Sequence, residues 1–302
     1  MFNYIWKKSD YPATHGKTVM STFACGGGST MGYKLAGYEV IAANDIDKQM
    51  AKVYHKNHNP KYYYLTDIRE MVDRDDLPEE LYKLDILDGS PPCSVFSMAG
   101  DREKGWGKEK KFREGQAMQT LDDLFFHFID LAKKLQPKIV VSENVKGLLH
   151  GNAKGYVKAI VAKFNEAGYD TQIFLLNGAS MGLPQRRERV FFISRRKDMK
   201  LPKIVLNFDE SAITFNQVSD DSDKSDNLSK LYRHYWFTTK PGQPVGKFGA
   251  IKKLHPDSPS NTIIASVRHF HPNYPRRLND VELKRIGSFP QDYDFMDVDA
   301  NY

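Results

Sequence analysis

The run Thr18-Val-Met-Ser-Thr-Phe-Ala-Cys-Gly-Gly-Gly-Ser29, followed by a helix-length segment and then Tyr38-Glu-Val-Ile-Ala-Ala-Asn-Asp45, constrains the fold more than any other feature of this chain. An apolar run that ends in consecutive glycines, then a helix, then a second apolar run make a β-α-β unit. The parallel strands of such a unit require both faces of their sheet to be covered. The pattern predicts strands over 18–23 and 38–43 and helices over 30–37 and 48–57. The alternation continues with a strand over 84–87, a helix over 118–135, a strand over 138–142 and a helix over 156–167. The expected class is therefore α/β, a Rossmann-like, mostly parallel sheet wrapped on both faces. Two β-rich runs, Thr171-Gln-Ile-Phe-Leu-Leu176 and Arg189-Val-Phe-Phe-Ile-Ser194, come without a helix between them and predict an antiparallel pair at the sheet edge.

After residue 195 the rhythm is lost. The stretch 196–275 mixes a polar run, Ser219-Asp-Asp-Ser-Asp-Lys-Ser-Asp-Asn227, with aromatic and basic clusters, Tyr232-Arg-His-Tyr-Trp-Phe237 and Arg268-His-Phe-His271. It is expected to form a smaller, irregular β-rich domain, whose aromatic and basic groups either contact a nucleic acid or form the core and rim of the module. The expected division is 1–195, 196–275 and 276–302, with Asn279 capping a helix in the last segment. A chain of 302 residues is long enough for this arrangement. No apolar run approaches the ~18 residues of a membrane span, and the start lacks the apolar region of a signal peptide. The two cysteines, at 25 and 93, give neither a disulfide framework nor paired zinc ligands, so reduced thiols, no metal and a cytoplasmic location are expected. A net charge of +6 permits a polyanionic partner without requiring one.

Four clusters carry chemistry. The glycine turn lets a ligand approach the backbone, and Asp45, at the end of the next strand, is placed to accept hydrogen bonds from ribose hydroxyls, which suits an adenosine moiety. The spaced glycine pattern of dinucleotide sites and the lysine of triphosphate loops are both missing. Asp88-Gly-Ser-Pro-Pro-Cys-Ser-Val-Phe-Ser97 places Cys93 in a stiff Pro-Pro turn after a strand. A cysteine there is a candidate nucleophile, although free cysteine more often packs as a small hydrophobe. Ser142-Glu-Asn-Val145 delivers a carboxylate at the carboxyl end of a central strand, where open α/β sheets bind ligands. Its alternative use is as a helix cap or an arginine partner. Pro184-Gln-Arg-Arg-Glu-Arg189 supplies guanidinium groups that can hold a carboxylate, a phosphate or a base edge, or lie on a solvated face.

Taken in order, these clusters resemble the DNA (cytosine-5) methyltransferase family. They are Phe23-Ala-Cys-Gly-Gly-Gly28, Asp45, Asp67, Ser90-Pro-Pro-Cys93, Glu143-Asn-Val145, Gln185-Arg-Arg-Glu-Arg189, and Arg276-Arg-Leu-Asn-Asp-Val-Glu-Leu-Lys-Arg285 leading to Phe289-Pro-Gln-Asp-Tyr293. The resemblance runs from about 18 to 295 and implies transfer of a methyl group from S-adenosylmethionine to carbon 5 of cytosine, leaving S-adenosylhomocysteine. By resemblance Cys93 is the nucleophile, Glu143 acts at ring nitrogen 3, and Arg187 and Arg189 stabilise the ring and orient Glu143. The same resemblance assigns the cofactor to Phe23, Ala24, Cys25, Gly26, Gly27, Gly28, Asp45, Ile46, Asp67, Ile68, Ser90 and Pro92. It further implies double-stranded DNA as partner, a flipped target base, a mobile loop over 97–113 and target recognition by 196–275. A monomer in a bacterial or phage-infected cell, nucleoid-associated, is expected. A restriction endonuclease is one partner the family suggests.

The chain departs from the family pattern at three places. Cys25 stands where the family usually has its first glycine, and Ser94 where a glutamine often follows the nucleophile. The sequence stops at Tyr302, before the family's Asn-Ser-Val-like segment and final helix, so either a shortened form or a segment supplied separately is expected. Two other readings stay open at this point: a tRNA cytosine-5 methyltransferase, and a non-catalytic DNA-binding subunit.

Overall fold

The computed structural model describes residues 4–92, 123–150, 153–208, 210–246, 248–264 and 267–296. Cys93, Ser94, the loop over 97–113 and the first part of the helix expected over 118–135 lie outside the described residues. Contacts divide the chain into two compact units. One holds Tyr11–Leu176 with Glu188–Val205, and the other Met1–Asp10, Asn177–Arg187 and Leu206–Tyr302. Linear boundaries at 195 and 275 do not coincide with these units, because the chain leaves the first unit at Asn177 and returns to it at Glu188.

The first unit is built from β1 (Thr18–Thr22), α1 (Gly28–Leu35), β2 (Glu39–Asp45), α2 (Lys48–His58), β3 (Tyr62–Leu65), α3 (Ile68–Asp73), β4 (Ile86–Gly89), α4 (Leu124–Leu135), β5 (Ile139–Val145), α5 (Ala153–Glu166), β6 (Tyr169–Asn177) and β8 (Glu188–Arg196), while β7 (Gln185–Arg186) belongs to the other unit. Its sheet has seven strands in the order β3-β2-β1-β4-β5-β8-β6. The first five run parallel, and β8 runs antiparallel to β5. The two β-rich runs do lie side by side at one edge, where Thr171 and Ser194 join hydroxyls at 2.8 Å.

Helix α4 shows why the sheet is covered. Its residues Leu124, Phe125, Phe128, Ile129, Leu131, Ala132 and Leu135 are all buried, a stripe at helical spacing that fills the main core against Val140, Val190 and Phe192. Phenylalanine is only a moderate helix former, by roughly 0.5 kcal/mol, whereas burying it contributes about 1.5–3 kcal/mol, so packing decides the conformation. The helix stops at Gln136, which takes a left-handed φ of 50° just before Pro137.

The strand order also fixes where a ligand can bind. The connection after β1 leads to β2 on one side, whereas β4 pairs with β1 on the other, so the topology reverses between β1 and β4. Open α/β sheets bind ligands in the crevice outside the carboxyl ends at such a point. The parallel ladders align these ends as Asn44, Thr22, Gly89 and Ser142 on four successive strands.

The other unit contains α6 (Lys230–Thr238), β9 (Pro244–Val245), β10 (Phe248–Lys252), β11 (Ser260–Asn261) and α7 (Asp280–Ile286), with β11 parallel to β7. Its core gathers Tyr4, Ile213, Phe215, Val218, Leu254, Leu278, Leu283 and Ile286. Asn279 caps α7 as expected and forms a capping box with Glu282. The aromatic run at 232–237 did not announce a helix, yet α6 forms there, started by Ser229 and held by Tyr232 against Phe270 and by Trp236, whose indole N–H donates to the His271 carbonyl at 2.7 Å.

Candidate active site

The first unit brings two turns to the β1/β4 crevice. The β1 strand ends in Phe23 and Cys25, both with left-handed φ values of 51° and 47°, and Gly27 follows with φ 93° as the N-cap of α1. The left-handed region favours glycine, so Cys25 holds its position at some cost. What holds it there is Asp45, whose carboxylate accepts the Cys25 N–H at 2.7 Å and the Asp47 N–H at 2.8 Å. Burial raises the Asp45 carboxyl above its ordinary range, opposed by those amide bonds. The Cys25 residue is exposed, yet desolvation of its thiol by the surrounding chain and the neighbouring Asp45 push that thiol up to about 11. It stays protonated at neutral pH and is a poor nucleophile.

Strand β4 leads into the second turn. Gly89 is packed so closely that an added Cβ would lie 2.5 Å from Phe128 Cε2 and 2.6 Å from Thr22 Oγ1. Thr22 Oγ1 donates to the Asp88 carbonyl at 2.9 Å, and Ser90 Oγ reaches the Phe23 carbonyl at 3.5 Å, so the two turns are stitched to each other. Pro91 is buried, and its carbonyl accepts a hydrogen bond from Asn144 Nδ2 at 3.1 Å. Asn144 is itself 3% exposed and is oriented by its Oδ1, which accepts the Val145 N–H at 2.9 Å. Thus the residue beside Glu143 anchors the turn that precedes Cys93.

Glu143 and Arg189 form an ion pair, Nε to Oε1 at 2.7 Å, with their side chains 28% and 19% exposed. The antiparallel ladder explains the contact. Glu143 stands opposite Phe191, and Arg189 lies two residues along on the same face, within diagonal reach. Lys146 pairs with Glu188 at 2.9 Å beside it.

Phe23 packs on the main core 6.4 Å from the Phe128 ring, and Ala24 is buried with Ala43 and Tyr54. Ile46 and Pro92 are half-buried. Asp67 caps α3, accepting the Arg69 N–H at 2.9 Å and pairing with its guanidinium at 3.0 Å, while Ile68 is 3% exposed and belongs to the main core. Asn44 ties β2 to the chain leading to Asp67 by donating to the Tyr64 and Thr66 carbonyls at 3.0 and 2.8 Å. Arg187 belongs to the other unit, where its carbonyl accepts the Gly178 N–H at 3.0 Å.

One residue of the crevice escaped sequence reasoning. Asp88, 6% exposed at the end of β4, accepts from Ser21 Oγ at 3.0 Å, Ser29 Oγ at 2.6 Å and the Tyr33 hydroxyl at 3.2 Å. Its signal was available: a carboxylate closing the otherwise apolar strand Ile86-Leu-Asp-Gly89 invites the same question as Glu143.

The crevice residues suit an adenosine-bearing, cationic cofactor in their chemistry: a glycine turn with left-handed backbone, a preset acidic group at Asp45 and a buried acid at Asp88.

Comparison with known proteins agrees with this geometry. The model of the family described as C-5 cytosine-specific DNA methylase matches residues 17–240. The Type II methyltransferase M.FnuDI of Fusobacterium nucleatum is 30% identical over 92% of this chain and 85% of its own. The Type II methyltransferase M.NgoPII of Neisseria gonorrhoeae is 28% identical over 94% and 88%. Among solved structures, DNMT2 of Spodoptera frugiperda superposes with a TM-score of 0.65 at 15% identity, over 95% of this chain and 93% of that one, which supports the fold. The chain belongs to the C-5 cytosine-specific DNA methylases and is a DNA cytosine-5 methyltransferase.

Proposed function

We propose that this enzyme methylates carbon 5 of cytosine within one short double-stranded DNA sequence, through a covalent intermediate on Cys93 and with the target base flipped out of the helix. The observation that carries the reading is the convergence at the carboxyl ends of β1, β4 and β5: a glycine turn, the anchored Ser90-Pro-Pro turn that leads to Cys93, and the Glu143–Arg189 pair. Carbon 5 of cytosine is a weak nucleophile. Addition of the Cys93 thiolate to carbon 6 makes it enamine-like, and a proton held by Glu143 at ring nitrogen 3 absorbs the charge that develops there. Arg189 orients Glu143 through their ion pair, and Arg187 is assigned to the cytosine ring. Carbon 5 then takes the methyl group as the methyl's bond to the donor sulfur breaks and a neutral thioether leaves; carbon 5 loses its proton to a base, carbon 6 expels the Cys93 thiolate as the 5,6 double bond returns, and ring nitrogen 3 gives its proton back to Glu143.

S-adenosylmethionine, when bound, supplies the electrophilic methyl on a positively charged sulfur. Phe23, the turn from Ala24 to Gly28, Asp45 with Ile46, Asp67 with Ile68, and Ser90 with Pro92 would hold it. Flipping the base costs a few kcal/mol, for which the loop over 97–113 and contacts from 196–275 would compensate. The enzyme would act as a monomer, with or without a restriction endonuclease of the same specificity.

Incubation with S-adenosylmethionine and DNA containing all short sequence contexts, followed by bisulfite sequencing, tests the reading. Methylation confined to one context is expected, as is a stable adduct with DNA carrying 5-fluorocytosine that is lost in Cys93→Ala. Methylation of tRNA but not DNA would replace the substrate, and DNA binding without an adduct would leave only a binding subunit.

A further inference from the structure

The mechanism above leaves one buried ionisable group in the crevice without a task. Asp88 accepts three hydrogen bonds, all from neutral hydroxyls: Ser21 on β1, and Ser29 and Tyr33 on α1. Among the described residues no cation pairs with it, and the titratable groups that act on it or feel it are themselves acids, Glu143 on β5 and the phenols Tyr33 and Tyr54 on α1 and α2. Burial pushes its carboxyl up to about 6, against the pull of the three hydroxyls, so it is still ionised at pH 7.5. A buried charge without a counter-charge among the described residues is costly there, and groups of this kind concentrate at functional sites. Its position indicates the use. Ser21 lies on the strand entering the glycine turn and Ser29 on the helix leaving it, so the carboxylate is bonded to both ends of the cradle.

We propose that Asp88 is the counter-charge for the cationic methyl donor, and that it selects the sulfonium form over the neutral thioether left after transfer. The proposal rests on the cofactor reading above. Donor and product differ by one positive charge at sulfur. A carboxylate about 7–10 Å from that sulfur, at an effective dielectric of about 20–40, would discriminate between them by roughly 5–50-fold.

Calorimetric titration of the full chain with S-adenosylmethionine and with S-adenosylhomocysteine tests this. The wild type is compared with Asp88→Asn at pH 7.5 and pH 5.5, and with Ser29→Ala at pH 7.5. Asparagine keeps the shape and can still accept from both serines, so it removes the charge and little else. The donor-over-product preference at pH 7.5 should fall by roughly 5–50-fold in Asp88→Asn. In the wild type it should shrink from pH 7.5 to pH 5.5, as the carboxyl takes up its proton, while the variant, which controls for titration of the ligands themselves, shows no comparable change. Ser29→Ala retains the charge and should retain the preference even if both affinities drop. A preference in Asp88→Asn within about twofold of the wild type, or an equal pH response in both, overturns the proposal alone. If Asp88→Asn fails to fold, Asp88→Ser serves as the charge-free control for the same comparison. Absence of binding of either ligand to the folded wild-type chain overturns the cofactor reading and this proposal with it.

Discussion

Replacing Gly89 by alanine tests whether the seam between the two turns is as tight as its geometry indicates. The new methyl group would stand 2.5 and 2.9 Å from Phe128 ring carbons and 2.6 Å from Thr22 Oγ1. Carbon contacts are favourable at about 3.5–4.0 Å, so the neighbours must give by roughly 1 Å. Phe128 has no room to do so, being fully buried and set edge-on to Phe125 at 6.2 Å. Thr22 can move only by giving up its bond to the Asp88 carbonyl. Overpacking of this kind costs about 1–3 kcal/mol and the lost hydrogen bond about 1 kcal/mol more. A loss of about 2–4 kcal/mol lowers Tm by roughly 4–16 °C for a unit of this size. Thermal unfolding followed by circular dichroism, alongside transfer of tritiated methyl groups to DNA at 20 °C, reads both consequences. Methyl transfer should fall more than the folded fraction does, because the strain sits one residue before Ser90-Pro-Pro-Cys93. Unchanged Tm with unchanged kcat would refute the packing argument.

Asn144→Ala leaves the buried Pro91 carbonyl without its donor. It should cost about 1–3 kcal/mol in denaturant titrations and lower kcat at least ~10-fold with little change in cofactor affinity, whereas equal losses in both would argue against a role at the turn. Cys25→Gly relieves a left-handed φ of 47° and should raise stability by up to about 1 kcal/mol with methyl transfer retained; a lower Tm would count against the strain. In the other unit, Glu282 is held down to about 2 by Arg276 and His271 although burial opposes this, and it pairs with Arg276 Nη1 at 2.8 Å. A depressed carboxylate contributes stability that is present above its unfolded value near 4.5 and is lost as pH falls toward 2. Glu282→Gln should cost about 1–3 kcal/mol at pH 7, because Arg276 loses its nearer carboxylate and keeps Asp223 at 3.4 Å, and should flatten the stability curve between pH 4.5 and 2, which acid titration by fluorescence would check.

Local patterns sufficed for the alternation of strands and helices, for the cap at Asn279, and for the order of the motif clusters, because these depend on neighbours a few residues apart. The helix α6 was hidden, since aromatic residues fit a pleated surface as well as a helix and only the contacts of Tyr232 and Trp236 decide between them. The ion pair of Glu143 with Arg189 was open among several uses of either residue until the ladder register placed them on one face.

Sequence alone thus determined the class of fold, the family, and which residue types stand at the ends of which strands. It could do so because period, turn chemistry and motif order are written along the chain. Tertiary structure decided what those residues do to one another. Asn144 holds Pro91 across 53 positions, and Asp88 gathers hydroxyls from Ser21 and Ser29, 67 and 59 positions away. The cost of burying a charge, or of filling the space beside Gly89, depends on what surrounds it in space, and no local pattern encodes that.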